Sequence, residues 1–132
     1  MTLRKGKVGV SMLRNIGLQL LNKLGHLHTI GVVHNDIKPC NILFGRDVNR
    51  NQVYLIDFGL ASLPDSMTEP QPCQTVFMGN IPFSPINTLK GNQSQPLDDL
   101  CSLSYLLLWM AEEGKCSWQL QTSSPRAQTC NC

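Results

Sequence analysis

The amino-acid sequence predicts an α+β fold that is mainly α-helical. Three observations predict it. Two stretches have apolar residues at helical spacing, two short β-type runs flank a turn-rich segment, and a proline-rich segment precedes the second helix. With 132 residues, the chain has room for one domain of ordinary size.

The first helix is predicted from about Val10 to Ile30. Apolar residues recur there at steps of three and four, which is the spacing of one helix face. This stripe consists of Val10, Leu13, Ile16, Leu20, Leu24 and Leu27, broadened by Met12, Leu18 and Leu21. Gly31 follows where a left-handed C-terminal cap is expected, so the helix is predicted to end there.

A small β-hairpin is predicted next. The runs 42–44 and 53–56 are apolar and β-type, and the segment 45–52 between them is rich in turn-forming residues. The segment 62–95 contains five prolines with Ser, Thr, Asn and Gly between them. We expect it to be a long irregular loop, which in a compact domain is usually functional or disordered.

The second helix is predicted to begin at Pro96. Proline and the acidic residues Asp98 and Asp99 are favoured at a helix N-terminus. The residues that follow, up to Met110, are apolar on most faces, which predicts a buried helix. Residues 119–132 contain almost no large apolar side chains, so we expect them to form a disordered tail.

Charge and hydropathy exclude several classes of protein. The net charge of +2 is too small for a protein that binds nucleic acid through a general basic field. The most apolar run, Tyr105 to Ala111, is far shorter than the roughly 20 residues that span a bilayer. The basic residues near Met1 are followed by amphipathic rather than continuous apolar sequence, so no secretory signal is expected, and the six cysteines include no C-x-x-C pair. We therefore expect reduced thiols and an intracellular location, in the cytoplasm or nucleus.

Two motifs flank the predicted hairpin. The segment 34–41 reads His-Asn-Asp-Ile-Lys-Pro-Cys-Asn, and the segment 57–59 reads Asp-Phe-Gly. Together they resemble the protein-kinase pattern H-x-D-x-K-x-x-N followed by D-F-G, in the same order and with a strand-turn-strand between them.

Further segments resemble the casein kinase 1 family. Pro85-Ile86-Asn87 is similar to the S-I-N segment that replaces A-P-E in that family, with proline in place of serine. The helix that follows begins with Asp98-Asp99-Leu100, similar to the Asp-Asp-Leu run of the family, and residues 114–119 are similar to its Gly-x-x-Pro-Trp-Gln segment. The resemblance extends from about Val10 to Gln119.

The resemblance implies a role for each motif residue, and phosphoryl transfer needs these residue types. Asp36 would orient or deprotonate the acceptor hydroxyl, and Lys38 would balance charge on the transferred phosphate. Asn41 and Asp57 would bind Mg²⁺ as oxygen ligands. Structural support is implied for His34, Phe58, Gly59 and Asp99. For Asp99 this support is a brace on the backbone of the catalytic loop; the alternative is a plain helix cap.

The function implied is that of a serine/threonine kinase, with ATP and Mg²⁺ as cofactors and proteins as substrates. We expect residues 1–118 to be a partial kinase domain, a truncated C-terminal lobe with its catalytic-loop helix, hairpin, activation segment and buried helix. The N-terminal lobe is expected to be absent, because only 33 residues precede His34.

Asn35 and Asn80 depart from the family pattern. Asn35 replaces the arginine that commonly receives an activation-loop phosphate, so switching by such a phosphate is not expected.

The alternative function is a catalytically inactive, pseudokinase-like fragment that binds a partner or itself through an exposed apolar helix. A magnesium- or zinc-dependent hydrolase would use the same carboxylates. It is disfavoured, because His26 and His28 are two residues apart in a predicted helix and point away from each other, so a zinc pair is not expected there.

Overall fold

The structure is a computed structural model and describes residues 8–63 and 81–117. Within these residues the fold is α-rich with one two-stranded sheet, as the sequence predicts. The helices are α1 (Val10–Thr29), α2 (Ile86–Leu89) and α3 (Pro96–Ala111), and the strands are β1 (Ile42–Phe44) and β2 (Val53–Leu55). Short 3-10 turns occupy Pro39–Asn41, Asp47–Asn49 and Ile81–Phe83.

Helix α1 ends at the predicted glycine. Gly31 has a φ of 78°, which places it in the left-handed region. Its N–H donates to the carbonyl of His28 at 3.0 Å, and the N–H of Val32 donates to the carbonyl of Leu27 at 2.9 Å. These two bonds form a Schellman motif and satisfy carbonyls at the helix end.

The buried face of α1 is narrower than predicted. Ile16, Leu20 and Leu24, at four-residue spacing, are fully buried against α3 and β2. Val10 is 83% exposed, and three other members of the predicted stripe, Met12, Leu18 and Leu21, are about half exposed. These side chains stay exposed because α3 and β2 are the elements on which α1 mainly packs in the described part of the chain.

The hairpin forms as predicted, with β2 ending one residue earlier. The strands are antiparallel, and Ile42 lies opposite Leu55. Helix α1 binds the hairpin through Gln19, whose Oε1 accepts from the N–H of Val53 at 2.9 Å and whose Nε2 donates to the carbonyl of Asn51 at 2.8 Å. The hairpin is therefore fixed to the helix by polar as well as apolar contacts.

The expectation of an irregular loop over 62–95 is wrong at α2. Residues 64–80 lie outside the described part of the chain, but 86–89 form a helical turn. Pro85 stands directly before this turn, and its carbonyl accepts from the N–H of Leu89 at 3.0 Å. Proline breaks a helix from within, whereas at the start it loses no hydrogen bond.

Helix α3 begins with a capping box. The backbone N–H of Gln95 donates to Oδ2 of Asp98 at 2.8 Å, and Pro96 occupies the first turn. Leu106 and Met110 are fully buried, whereas Leu108 is 50% exposed. The expected burial on nearly all faces is therefore wrong at Leu108, within the described residues. The predicted tail at 119–132 lies outside them.

One apolar core joins α1, α3, the hairpin and the segment 34–41. It is made of Ile16, Leu20, Leu24, Ile37, Ile42, Val53, Phe83, Leu103, Leu106, Trp109 and Met110. Phe83 and Trp109 meet edge to face with ring centroids 6.1 Å apart. Ile37 anchors the segment 34–41 in this core. Among the described residues, no helix is both long and apolar enough to cross a membrane.

Candidate active site

Helix α3 holds the start of the segment 34–41, which we call the catalytic loop. The carboxylate of Asp99 is 1% exposed. Its Oδ2 accepts from the backbone N–H of His34 at 2.8 Å, and its Oδ1 accepts from that of Asn35 at 2.9 Å. The helix cap is made by the neighbouring Asp98. Asp99 therefore contacts the backbone of the loop at two successive residues.

A third group contacts the same carboxylate. Nε2 of His28, near the end of α1, lies 2.9 Å from Oδ2 of Asp99. Three parts of the chain thus meet at one buried carboxylate: α1, the catalytic loop and α3. Two residues earlier, the ring of His26 contacts the backbone carbonyl of Asn22 at 2.7 Å on the exposed side of the helix. The two histidines face different surroundings and do not form a metal pair.

His34 links the loop to the segment after β2. Its side chain is fully buried, and its Nε2 lies 3.2 Å from the carbonyl of Ile56. The ring centroid is 4.7 Å from that of Phe58. Burial lowers the pKa of His34 below 6.5, against the opposing effect of the nearby Asp99 carboxylate. The residue packs against the Asp-Phe-Gly turn as a neutral imidazole.

The acidic centre of the loop is Asp36, which is 6% exposed. Its Oδ2 lies 2.6 Å from Nζ of Lys38 and accepts from Nδ2 of Asn41 at 2.9 Å. Nδ2 of Asn41 also donates to the backbone carbonyl of Asp36 at 2.8 Å. Ionised partners of this kind make short, strong hydrogen bonds. These contacts bring together three of the four loop residues that the motif singles out.

Asp57 is connected to this group by a backbone hydrogen bond of its neighbour Ile56. The N–H of Ile56 donates to the carbonyl of Asn41 at 3.0 Å, which places Asp57 directly after the end of the hairpin. Asp57 has a φ of 65°, and its Oδ1 accepts from the N–H of Gly59 at 3.2 Å. Asp57, Phe58 and Gly59 are all exposed, and Phe58 is 47% exposed.

The donor set fits a magnesium ion shared with phosphate groups. Asp57 offers a carboxylate. Asn41 offers its carboxamide oxygen as a ligand, because only its Nδ2 group is engaged in the hydrogen bonds to Asp36. Mg²⁺ usually takes one or two carboxylates and completes its shell with phosphate oxygens and water. No group of three or more His, Cys, Asp or Glu side chains that could hold a metal occurs within 8–63 and 81–117. A closed, all-protein metal cage is therefore not formed by these residues.

The expectation that every thiol is reduced is wrong at Cys40, next to Asn41. Cys40 is disulfide-bonded, whereas Cys101 and Cys116 are not in disulfides. A C-x-x-C pattern identifies only cysteines that are close in sequence, so its absence did not exclude a disulfide at Cys40. Asn80 and Trp118, to which the resemblance also refers, lie outside the described residues.

Sequence reasoning missed two contacts. The contact of His28 with Asp99 has no sequence signal, because a histidine is an ordinary residue in an amphipathic helix. Asn35 was noted as a departure from the pattern, but its contacts were not foreseen: its Nδ2 donates to the carbonyl of Leu60 and to Oγ of Ser62. A positive φ of 66° at Asn35 is compatible with asparagine, which adopts this conformation more readily than most residues.

Comparison with known proteins gives similarity along almost the whole chain. The protein kinase domain model matches residues 1–131. A "probable serine/threonine-protein kinase" of Dictyostelium discoideum is 34% identical over 118 residues, which are 86% of this chain and 24% of that protein. A "probable casein kinase I homolog" of Encephalitozoon cuniculi is 36% identical over 96 residues, which are 70% of this chain and 29% of that protein. The chain spans less than a third of the length of these relatives, whose names agree with the resemblance drawn from the motifs.

Proposed function

The chain belongs to the protein kinase family, and on that premise we propose that it supplies the catalytic loop and metal-binding turn of a casein kinase 1-like serine/threonine kinase. The reaction is transfer of the γ-phosphate of ATP to a Ser or Thr hydroxyl of a protein. The observation that carries the proposal is the buried group formed by Asp36, Lys38 and Asn41, with Asp57 beside it.

In the proposed reaction, Asp36 accepts the proton of the substrate hydroxyl. Its Oδ2 is bound by Lys38 and Asn41, and both contacts favour an ionised carboxylate in a fixed orientation. Lys38 places a positive charge beside the transferred phosphate, where negative charge must be balanced. The side chains thus position the acceptor and stabilise charge, which is most of what phosphoryl transfer asks of a protein.

Asn41 and Asp57 are the proposed ligands of Mg²⁺. The ion supplies charge neutralisation on the β- and γ-phosphates when it is bound with ATP. The backbone bond between Asn41 and Ile56 keeps the two ligands on neighbouring strand ends. Preference for Ser and Thr rests on Lys38, two residues after Asp36, and on the names of the relatives.

A phosphate-transfer assay tests the proposal. The chain is incubated with radiolabelled ATP, Mg²⁺ and an unstructured protein rich in Ser and Thr. Asp36→Asn should abolish transfer, because an amide does not accept the hydroxyl proton. Asp47→Asn is the matched control, since Asp47 is an exposed aspartate in the hairpin turn. Transfer that survives Asp36→Asn would remove Asp36 from the catalytic role.

Nucleotide binding is tested separately by calorimetry. We expect ATP to bind in the presence of Mg²⁺ and the Asp57→Ala variant to lose that dependence on Mg²⁺. Equal binding with and without Mg²⁺ would contradict the proposed roles of Asn41 and Asp57. This measurement does not depend on a substrate protein, so it separates a site that binds nucleotide from one that completes transfer.

A second candidate function is a pseudokinase-like fragment that binds a partner or a second copy of itself. Exposed apolar side chains favour it: Ile30 is 66% exposed, and Phe58 and Leu108 are each about half exposed. In that case the folded chain would bind no Mg²⁺-ATP and would sediment as an oligomer or with a partner. A folded monomer that transfers phosphate would exclude this candidate.

A further inference from the structure

Asn35 holds an unusual backbone position in the catalytic loop. It lies between the buried residues His34 and Asp36, and its φ of 66° is in the left-handed region. Left-handed backbone is unfavourable for most residues with a side chain, and asparagine is one of the few that tolerate it. The backbone N–H donates to Oδ1 of Asp99 at 2.9 Å, which holds this conformation from α3.

The side chain of Asn35 points to the segment that follows the Asp-Phe-Gly turn. Its Nδ2 donates to the carbonyl of Leu60 at 2.9 Å and to Oγ of Ser62 at 3.2 Å. The carbonyl of Leu60 accepts only, so it fixes which end of the carboxamide faces it. The buried Oδ1 of Asn35 has no hydrogen-bond partner within the described chain. The contact therefore depends on the amide donor.

Backbone bonds lie next to this side-chain contact. The N–H of Val33 donates to the carbonyl of Ser62 at 3.0 Å, and the N–H of Ser62 donates back at 2.9 Å. On the other side of the turn, the carbonyl of Asn41 binds the N–H of Ile56. The turn 57–59 is thus attached to the catalytic loop at both ends, and Asn35 supplies the side-chain part of one attachment.

We propose that Asn35 is a positioning residue whose carboxamide fastens the segment 60–62 to the catalytic loop and so fixes the turn that carries Asp57. The carboxamide is neutral, so the contact needs no phosphate or other anion to balance a charge. An arginine at the same position would carry a permanent positive charge and would need such a partner. The consequence for catalysis rests on the proposed function, but the contact itself does not.

Two variants separate the side chain from the backbone. Asn35→Gly keeps the left-handed conformation without strain and removes the carboxamide. Asn35→Asp keeps the shape but puts an acceptor oxygen opposite the carbonyl of Leu60. Asp47→Gly is the matched control, because Asp47 also has a positive φ, 51°, but is exposed in the hairpin turn away from the loop.

Amide hydrogen exchange of the 132-residue chain is the deciding measurement. In both Asn35 variants, exchange at the N–H groups of Val33 and Ser62 should accelerate by about tenfold, the effect expected when one supporting hydrogen bond is lost. Exchange at Gly45, whose N–H is bound in the hairpin, should stay within about twofold. Unchanged exchange at Val33 and Ser62, or equal acceleration along the whole chain, would overturn the proposal.

A binding measurement tests the consequence for Asp57. Asn35→Gly should weaken Mg²⁺-dependent ATP binding by about tenfold at a temperature where the chain remains folded, and Asp47→Gly should leave the affinity unchanged. Undiminished affinity in Asn35→Gly would overturn the positioning role. If the unaltered chain binds no ATP, the proposed function of the isolated chain fails, while the exchange measurement still decides whether Asn35 fastens the segment 60–62.

Discussion

The catalytic loop and the Asp-Phe-Gly turn contribute to one candidate site but are held in different ways. In the loop, the residues His34, Asp36 and Asn41 are buried, and their partners include Asp99 on a helix far along the chain. In the turn, residues 57–59 are exposed, and the side chain of Asp57 accepts from an N–H two residues away. The loop is fixed by tertiary structure, and the turn mainly by its ends.

This difference follows from the free energy of burying polar groups. A buried donor or acceptor without a partner is costly, so any rearrangement of the loop must break several bonds at once. An exposed turn exchanges its bonds for bonds with water at little cost. In the proposed kinase, the loop residues Asp36, Lys38 and Asn41 are therefore preformed, whereas the exposed side chain of Asp57 adjusts within a turn that is attached at both ends.

The largest expected effect comes from removing the brace of the loop. Asp99→Ala should lower the free energy of unfolding by about 3 kcal/mol, because it leaves one buried and one part-buried backbone N–H group without their acceptor. Asp98→Ala, on the same helix, removes a cap and should cost about 1 kcal/mol. Urea denaturation measures both. Equal losses of unfolding free energy in the two variants would mean that Asp99 stabilises the loop no more than Asp98 stabilises the end of the helix.

The pH dependence of stability should come partly from His34. Its pKa in the folded chain lies below 6.5 because of burial, so below pH 6.5 the unfolded state binds more protons. The free energy of unfolding should therefore fall as the pH drops below 6.5, by at most about 1.4 kcal/mol per pH unit for this group. The dependence from this group fades over about one pH unit above 6.5, where the unfolded state also loses its proton.

Two histidine variants check the assignment of this pH dependence. Chemical denaturation between about pH 5 and pH 8 should show a shallower slope in His34→Gln than in the unaltered chain. His26→Gln is the matched histidine control, on the exposed side of α1. A slope that persists in His34→Gln would assign the titration to another group.

A smaller effect is expected in the turn. Phe58→Ala should lower the free energy of unfolding by about 1 kcal/mol, since half of the ring is exposed and its main specific contact is the ring of His34. Tyr54→Ala is the control on the hairpin, with a similarly exposed ring, and should stay within about 0.5 kcal/mol. Thermal unfolding compares them. A loss of several kcal/mol for Phe58→Ala would show that the turn is as firmly packed as the loop.

The smallest expected change in stability is at Asp57. Asp57→Gly should alter the free energy of unfolding by no more than about 0.5 kcal/mol, because glycine accepts the positive φ and the lost side chain is exposed. The same variant should lose Mg²⁺-dependent ATP binding. Calorimetry and denaturation on one sample measure both properties, and a marked loss of stability would contradict the view that the turn is free to adjust.

Much of the fold was predictable because local rules apply to it. The end of α1 at Gly31, the hairpin and the start of α3 at Pro96 each follow from residues that satisfy or restrict a backbone position. The extent of burial on α1 was not predictable in this way. The pattern shows which side chains are apolar, and only the packing of α3 and β2 decides that Leu20 is covered and Val10 is not.

The motif placed the candidate site residues in the chain, and the structure added contacts that no motif describes. His28 and Asn35 contact groups from distant parts of the chain, Asp99 and Leu60 respectively. Such contacts depend on where two elements meet, which spacing within either element does not reveal. The disulfide state of Cys40 likewise had no local signal.

The sequence by itself determined the family, the order of the elements and the identity of the chemical groups, because each is encoded by residue types at short spacing. Only the tertiary structure decided which groups are buried and bonded and which are exposed. The catalytic loop is held because Asp99 of α3 reaches the backbone of His34 and Asn35, across 65 and 64 residues of chain. Burial makes those bonds costly to break, and burial is a property of the packed molecule.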